Sequence, residues 1–314
     1  MSRERMRGLR GRAIALVLLA GLVAAAPGRA FMPLWDATEP TLQVELEKTL
    51  RRLGLSRLIA EEKLSVTLVG ISDADCPRVA GVNENVMMYA ASMPKLAILL
   101  AAFKRIERGE MVLDDELSDL MTRMIRYSSN SAATEVMDRV GREFIAQVLT
   151  SPELKLYDRE HGGGLWVGRA YAKRAAWRRD PLHNLSHGAT TMQVARLYYL
   201  LEEDRLLEPS LAERMREMLS EPGVNHKFVA GLHARYPGAL MWRKSGTWRD
   251  YHSDSAIIEH DGRRYIAVAM VQSPKGEEIL RRLIVDLDAL IFRVPARCPD
   301  PDGRYRSVPA RSAP

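Results

Sequence analysis

Cysteine is nearly missing from this chain, with only Cys76 and Cys298 among 314 residues. So few thiols exclude a disulfide scaffold and a cysteine-built structural zinc site. An unbroken apolar run of membrane-spanning length is also missing. The stretch from Ala13 to Ala26 falls short of the roughly 20 residues a helical span needs. No internal repeat is visible, and the excess of positive charge does not survive a closer count. The chain carries +6 overall, but residues 1–30 hold six arginines against one glutamate, so the rest is close to +1. The high pI belongs mostly to those 30 residues and gives no ground for nucleic-acid binding.

What the first 30 residues do contain has an order. Arg3, Arg5, Arg7, Arg10 and Arg12 precede the short apolar run, and Gly28-Arg29-Ala30 puts small residues at the −3 and −1 positions. A basic head, a short apolar stretch and a small-x-small end predict a secretory signal peptide cleaved after Ala30. The competing reading, a transmembrane anchor, suffers from the length of the run. No cysteine stands near the cleavage point to carry a lipid. Export would make the protein periplasmic or secreted, with no membrane span left. One disulfide would be tolerated there.

Residues 31–294 are expected to form the folded domain, and 295–314, rich in Pro and Arg, a disordered tail. Thr41 can cap a helix to about Leu53, with Leu42, Leu46, Leu50 and Leu53 on one side. Residues 63–72 alternate and are β-rich, and a second short strand follows near 78–82. From Met93 to Arg108 the pattern is helical, with 96–103 apolar on every side, as in a helix buried mid-domain. Gly109 ends it. Asp114 or Asp115 caps further helical stretches to about Leu149, broken at Ser128-Ser129-Asn130-Ser131 and at Gly141.

Residues 151–189 form a long irregular connection, a feature more often functional than incidental. Thr190 or Thr191 caps a helix to Leu201, and another spans 211–219. The period then returns to two over 240–248, 254–260 and 263–272, with Asp261-Gly262 as a tight turn. A final helix covers about 276–293. The fold class is thus mixed α/β (α+β): an antiparallel sheet built by both ends of the chain, flanking helices, and an all-α subdomain inserted between strands. The default site is the cleft between sheet and helices.

Three short motifs carry chemistry. In Ser92-Met93-Pro94-Lys95 a serine stands at a helix start, and Lys95 lies one turn away on the same face. The apolar run after Lys95 would desolvate its amine and let it act as a base toward the serine hydroxyl. Pro94 is tolerated only in a first turn. Ser128-Ser129-Asn130 occupies a polar break between helices. Its hydroxyl could pass a proton to a leaving nitrogen while the Asn130 amide holds a substrate carbonyl, although an ordinary helix cap would use the same residues. Lys244-Ser245-Gly246-Thr247 lies in a predicted strand. Lys244 offers charge for a substrate carboxylate, Gly246 permits close approach to the backbone, and the N–H groups of Thr247 and Ser92 could form an oxyanion hole. No motif calls for a metal or cofactor.

Together, in this order and these settings, the motifs resemble those of the penicillin-recognising serine enzymes, most closely the class A β-lactamases. The resemblance runs from the strand at 63 to the helix ending near 293, and 190–201 is similar to the helix after that family's omega loop. It implies a five-stranded antiparallel sheet and Ser92 as acylated nucleophile. It further implies Lys95 as its base, Ser128 as proton shuttle, and Lys244 to Thr247 as the substrate strand. The implied substrate is a β-lactam or a peptidoglycan-type peptide, taken by a monomer.

The resemblance also brings the start of the sheet close to the end of the last helix, so Cys76 and Cys298 are expected to pair. Three departures stand out. Ser129 replaces the middle aspartate, the segment from Ser92 to Ser128 is short, and the omega-loop Glu-x-Leu-Asn is absent. Glu160, Asp180, His183 and His187 are the substitutes to consider for that glutamate, and Arg249 for the arginine that holds a substrate carboxylate. The alternatives to a β-lactamase are a D-alanyl-D-alanine-type peptidase, another amide or ester hydrolase, and an inactive binding protein on the same fold.

Overall fold

The computed structural model describes residues 31–73, 76–299 and 305–308; of Ala296–Pro299 and Tyr305–Val308 it describes the backbone alone. The signal peptide expected at 1–30 lies outside the described residues. Among the described residues no helix is long and apolar enough to cross a membrane.

Helices α1 (Pro40–Arg52) and α2 (Ser56–Ala60) precede strands β1 (Leu64–Gly70), β2 (Arg78–Val82) and β3 (Met88–Tyr89). Four helices follow: α3 (Lys95–Glu107), α4 (Asp115–Arg126), α5 (Asn130–Val140) and α6 (Arg142–Thr150). The long connection holds four short strands, β4 (Tyr157–Asp158), β5 (Gly163–Gly164), β6 (Trp166–Val167) and β7 (His187–Ala189). Helices α7 (Thr191–Glu202), α8 (Pro209–Leu219) and α9 (Phe228–His233) lead to β8 (Leu240–Trp248), β9 (Tyr251–His260) and β10 (Arg263–Gln272). Helix α10 (Gly276–Arg293) then runs into β11 (Ala296–Pro299) and β12 (Tyr305–Val308).

The main sheet has the order β2-β1-β10-β9-β8 and every neighbouring pair is antiparallel. Both ends of the chain therefore build it, as the sequence predicts, and the insertion between β2 and β8 holds α3 to α9 together with the short strands β3 to β7. Asp261 and Gly262 have φ of +46° and +69°, the pair of positive values that a two-residue hairpin turn between right-twisted strands requires. One face of the sheet is covered by α1, α9 and α10. Leu42, Leu46 and Leu50 meet Leu283, Leu287 and Ile291 there in one buried cluster. The other face carries α7, whose Thr191 Oγ1 is hydrogen-bonded to Ser65 Oγ (2.7 Å) and Thr67 Oγ1 (2.8 Å). Helix α3 is buried from Lys95 to Lys104 and packs against α4, α5, α6 and α8. Its all-apolar sequence is explained by enclosure on every side.

The structure refines several expectations. Glu39, not Thr41, caps α1 by accepting from Leu42 N (2.5 Å), because Pro40 takes the first helical position, where its fixed φ fits and its missing N–H is not needed. Asp114 and Thr190 cap α4 and α7 as expected. The short helix α9 has no counterpart in the sequence reading. In the segment 295–314, expected to lack structure, β11 and β12 pair as an antiparallel ribbon, with Ala296 opposite Val308. Arg78 Nη1 at the start of β2 donates to Val294 O (2.9 Å) and Pro295 O (3.2 Å), so the first strands do meet the end of α10. Cys76 is buried and disulfide-bonded; the side chain of Cys298, its expected partner, lies outside those described.

Leu287 is fully buried between α10 and the sheet. Leu287→Ala should lower unfolding free energy by roughly 2–5 kcal/mol, read as a drop in the urea midpoint at constant slope. A change below about 1 kcal/mol would contradict this account of the core.

Candidate active site

The chain leaves β3 and makes a tight turn before α3. Met93 N donates to Ala90 O (3.0 Å), Lys95 N to Ser92 O (3.2 Å) and Leu96 N to Met93 O (3.1 Å). These are i to i+3 bonds of the 3₁₀ type, so the regular helix opens at Lys95 rather than at the expected Met93. Pro94, which has no N–H, fits such an opening turn. Ala91 is held at φ +51° immediately before Ser92. Ser92 is half-buried at the helix entrance, and Lys95 is wholly buried beneath it.

Lys95 Nζ donates to Ser128 O (2.6 Å) and Asn130 Oδ1 (2.8 Å) and lies 3.4 Å from Ser128 Oγ. Burial lowers its pKa to about 7. Lys244 Nζ approaches from β8 and donates to the same Ser128 Oγ (3.0 Å) and to Ser245 O (2.7 Å). Lys244 is also buried, and its pKa falls well below the ordinary value, first through desolvation and then through repulsion from Lys95. One hydroxyl thus touches both amines. Ser128 is held at φ +56°, while Ser129 caps α5 by accepting from Ala132 N (3.2 Å). The aspartate-to-serine departure therefore leaves the helix cap intact.

Gly246 explains itself at the next contact. A Cβ on it would lie 2.4 Å from Ala90 O and 2.7 Å from Ser92 N. The strand backbone is therefore pressed against the serine turn, and only glycine permits the approach. Ser245 is buried beside it and Thr247 is exposed at the strand end.

One residue missed by the sequence reading belongs to this group. Lys227, fully buried, donates from Nζ to Gly246 O (2.6 Å), Thr247 Oγ1 (2.7 Å) and Ser253 O (3.2 Å). Burial lowers its pKa to about 8. Its backbone has φ +53° and ψ −114°, a conformation that costs a non-glycine residue of the order of 1–3 kcal/mol. Nothing in a single sequence marks a lysine in a loop for such a place. Arg249, the expected carboxylate partner, instead sits in the β8–β9 turn against the Trp248 ring. Behind β8, Arg243 and Asp254 form a buried ion pair (2.7 Å), and Asp254 also accepts from Phe228 N (3.1 Å). The pair fixes the start of α9, and with it Lys227.

The candidates for the missing glutamate are elsewhere. Asp180 spends its oxygens inside the long connection, accepting from Leu185 N (2.6 Å), Leu182 N, His183 N and Tyr157 Oη (each 3.0 Å). Glu160 is exposed in a groove with Trp166 and Arg178, and His183 bonds to Gly162 O. His187 is closer but buried, with Nε2 on Arg169 O (3.0 Å) and a pKa lowered by burial to about 4. Among the described residues no carboxylate is hydrogen-bonded to Ser92, Lys95, Ser128 or Lys244.

The model of the β-lactamase enzyme family matches residues 45–118 and 116–294. The chain belongs to the β-lactamase enzyme family. No curated protein matches it significantly by sequence. Among solved structures this β-lactamase-family chain is similar to a mutant of PBP-A in its acyl-enzyme complex with penicillin G, with a TM-score of 0.61 at 18% identity over 82% of this chain and 98% of that one. It is also similar to the β-lactamase of Sphaerobacter thermophilus DSM 20745, with a TM-score of 0.61 at 16% identity over 80% and 95%. A third is a double mutant of the last common ancestor of Gram-negative bacteria class A β-lactamase, with a TM-score of 0.62 at 19% identity over 80% and 99%. At such identities these likenesses establish the fold, which is that of the penicillin-recognising serine enzymes.

The close approach at Gly246 is testable. Gly246→Ala should push β8 away from Ser92, destabilise the domain by about 1–3 kcal/mol, and slow any reaction at Ser92 on the order of 100-fold. Thermal unfolding and the rate of Ser92 modification check the two halves, and an unchanged rate would contradict the contact.

Proposed function

We propose that this protein is a serine hydrolase that opens a β-lactam or related amide through an acyl-enzyme on Ser92. The observation that carries the reading is the placement of Ser128 Oγ against both Lys95 Nζ and Lys244 Nζ, with Lys95 desolvated to a pKa of about 7. At neutral pH a large fraction of Lys95 is then an amine with a free lone pair. It takes the proton of Ser92 Oγ as that oxygen bonds to the carbonyl carbon. The tetrahedral oxyanion receives the N–H groups of Ser92 and Thr247. As the C–N bond breaks, Ser128 Oγ gives its proton to the leaving nitrogen and regains one from the Lys95 ammonium. Lys244 holds Ser128 in line, and Asn130 offers its amide to the substrate carbonyl. Lys227, buried behind Thr247 and bonded to its Oγ1, adds positive charge behind the strand where a substrate carboxylate would sit, the role for which Arg249 was considered. Cleavage after Ala30 would place this activity in the periplasm or outside the cell.

The absence of a bonded carboxylate among the described residues of the site favours a second reading. A D-alanyl-D-alanine-type peptidase, or another amide or ester hydrolase, would use the same acylation steps and would not need the omega-loop glutamate of class A enzymes. Benzylpenicillin separates the two. Intact mass spectrometry of residues 31–314 should reveal an adduct that Ser92→Ala abolishes; rapid loss of the adduct with drug consumption supports the β-lactamase, and persistence supports the peptidase. No adduct in either protein would sink penicillin recognition, and with it the β-lactamase and the D-alanyl-D-alanine-type peptidase, leaving other esters or amides or a binding role.

The pH dependence follows from Lys95. Its neutral form is the base, so the acylation rate should be near its plateau above pH 8, half-maximal near pH 7, and about tenfold lower for each unit below pH 6. Stopped-flow acylation from pH 5 to 9 measures this, and a flat profile would remove Lys95 as the base.

A further inference from the structure

Tyr171, in the long connection, is used by none of the steps above. Its ring lies over Lys95 Nζ, with the nitrogen 4.5 Å from the ring centroid. The Lys95 amine is thus enclosed by Ser128 and Asn130 on one side and by an aromatic face on another. The Tyr171 hydroxyl donates to Ala91 O (3.1 Å), fastening the ring to the turn that presents Ser92. The ring also packs on the buried His187 imidazole, 4.5 Å between centroids and tilted by 40°. Tyr171 also forms part of the wall of an open groove of about 720 Å³ lined by Ser131, Thr134, Asp138, Ala172 and Arg174. Lys95 does not line that groove. The ring therefore lines the groove and also covers the Lys95 amine, which bonds to Asn130.

We propose that Tyr171 is a positioning residue that shuts water out from the loop side of the Ser92 acyl-enzyme and so sets its lifetime. This rests on the acyl-enzyme reading above. A hydrolytic water needs space against the ester carbonyl and a base to take its proton. The ring fills space next to Lys95, and it screens His187 from the cleft. The phenol is no substitute base, because burial holds it protonated far above neutral pH. Hydrolysis of the ester is slowed, while acylation, which uses Lys95 from the Ser92 and Ser128 side, is not.

The test is the decay of the penicillin adduct by intact mass spectrometry in the unmodified enzyme, Tyr171→Phe and Tyr171→Ala, with the acylation rate constant measured on the same samples. Tyr171→Phe keeps the ring and should decay within about threefold of the unmodified enzyme. Tyr171→Ala should decay at least tenfold faster while acylating within about fivefold, a split that a general loss of structure would not produce. Tyr171→Val serves in its place if the alanine variant shows no melting transition. Equal lifetimes in all three, or equal shortening by phenylalanine, would overturn the role given to the ring. An unmodified enzyme that forms no Ser92 adduct would overturn the acyl-enzyme reading, and this inference with it.

Discussion

Lys95 and Lys244 bring two buried amines to one hydroxyl, Ser128 Oγ, and among the described residues no carboxylate is bonded to either. Two buried like charges at such range repel, and each resists ionisation on its own account. The arrangement is tolerable only if at least one amine is neutral much of the time, which is also what makes an amine a base. The rest of the molecule keeps the pair in place. Helix α3 is apolar on all sides, so four helices can pack around it and leave Lys95 nowhere to turn. The Arg243–Asp254 pair pins β8 and the start of α9, and Gly246 lets β8 close on the serine turn.

Some of the backbone strain falls at the same point. Ala91, Ser128 and Lys227 all have positive φ, and each flanks or belongs to the site. Such residues persist when surrounding contacts over-determine them. Here the contacts are identifiable: the hydrogen bonds of Lys95 to Ser128 O, of Tyr171 to Ala91 O, and of Lys227 to the Gly246 carbonyl. Each strained residue is therefore held by a side chain of the site itself, so loss of one contact would loosen a neighbour.

The strands and helices were legible because 240–248 and 263–272 alternate with period two and the helices have one-sided or all-round apolar patterns, whereas the pairing of the first strand with the last was expected only through resemblance. Ser92, Lys95, Ser128 and Lys244 were legible because a motif at a helix start, one in a helical break and one in a strand have few other reasons to coexist. The meeting of Lys95 and Lys244 at Ser128 Oγ was expected only through resemblance, since sequence separation says nothing about which side chain meets which. Lys227 and Tyr171 were invisible for a different reason. A lysine and a tyrosine in polar loops look solvated until the fold buries them, and neither sits in a motif. Loop position likewise does not reveal that Asp180, one of the four stand-ins considered for the missing glutamate, spends its oxygens on its own loop.

The site carries a thermodynamic burden that follows from its chemistry. In the unfolded chain the three lysines bind protons up to their ordinary pKa of 10.5, whereas the folded values are about 7 for Lys95, about 8 for Lys227 and well below ordinary for Lys244. Between pH 7 and 10.5 the unfolded state binds more protons than the folded one, so this contribution makes stability rise with pH across that window and fall as pH drops toward 7. A carboxylate beside Lys95 would offset part of that burden by stabilising the ammonium. It would also raise the pKa of the amine and weaken its role as the first base. Under the proposed acyl-enzyme reading, a site without that carboxylate favours acylation over release, and the role proposed for Tyr171 acts in the same direction.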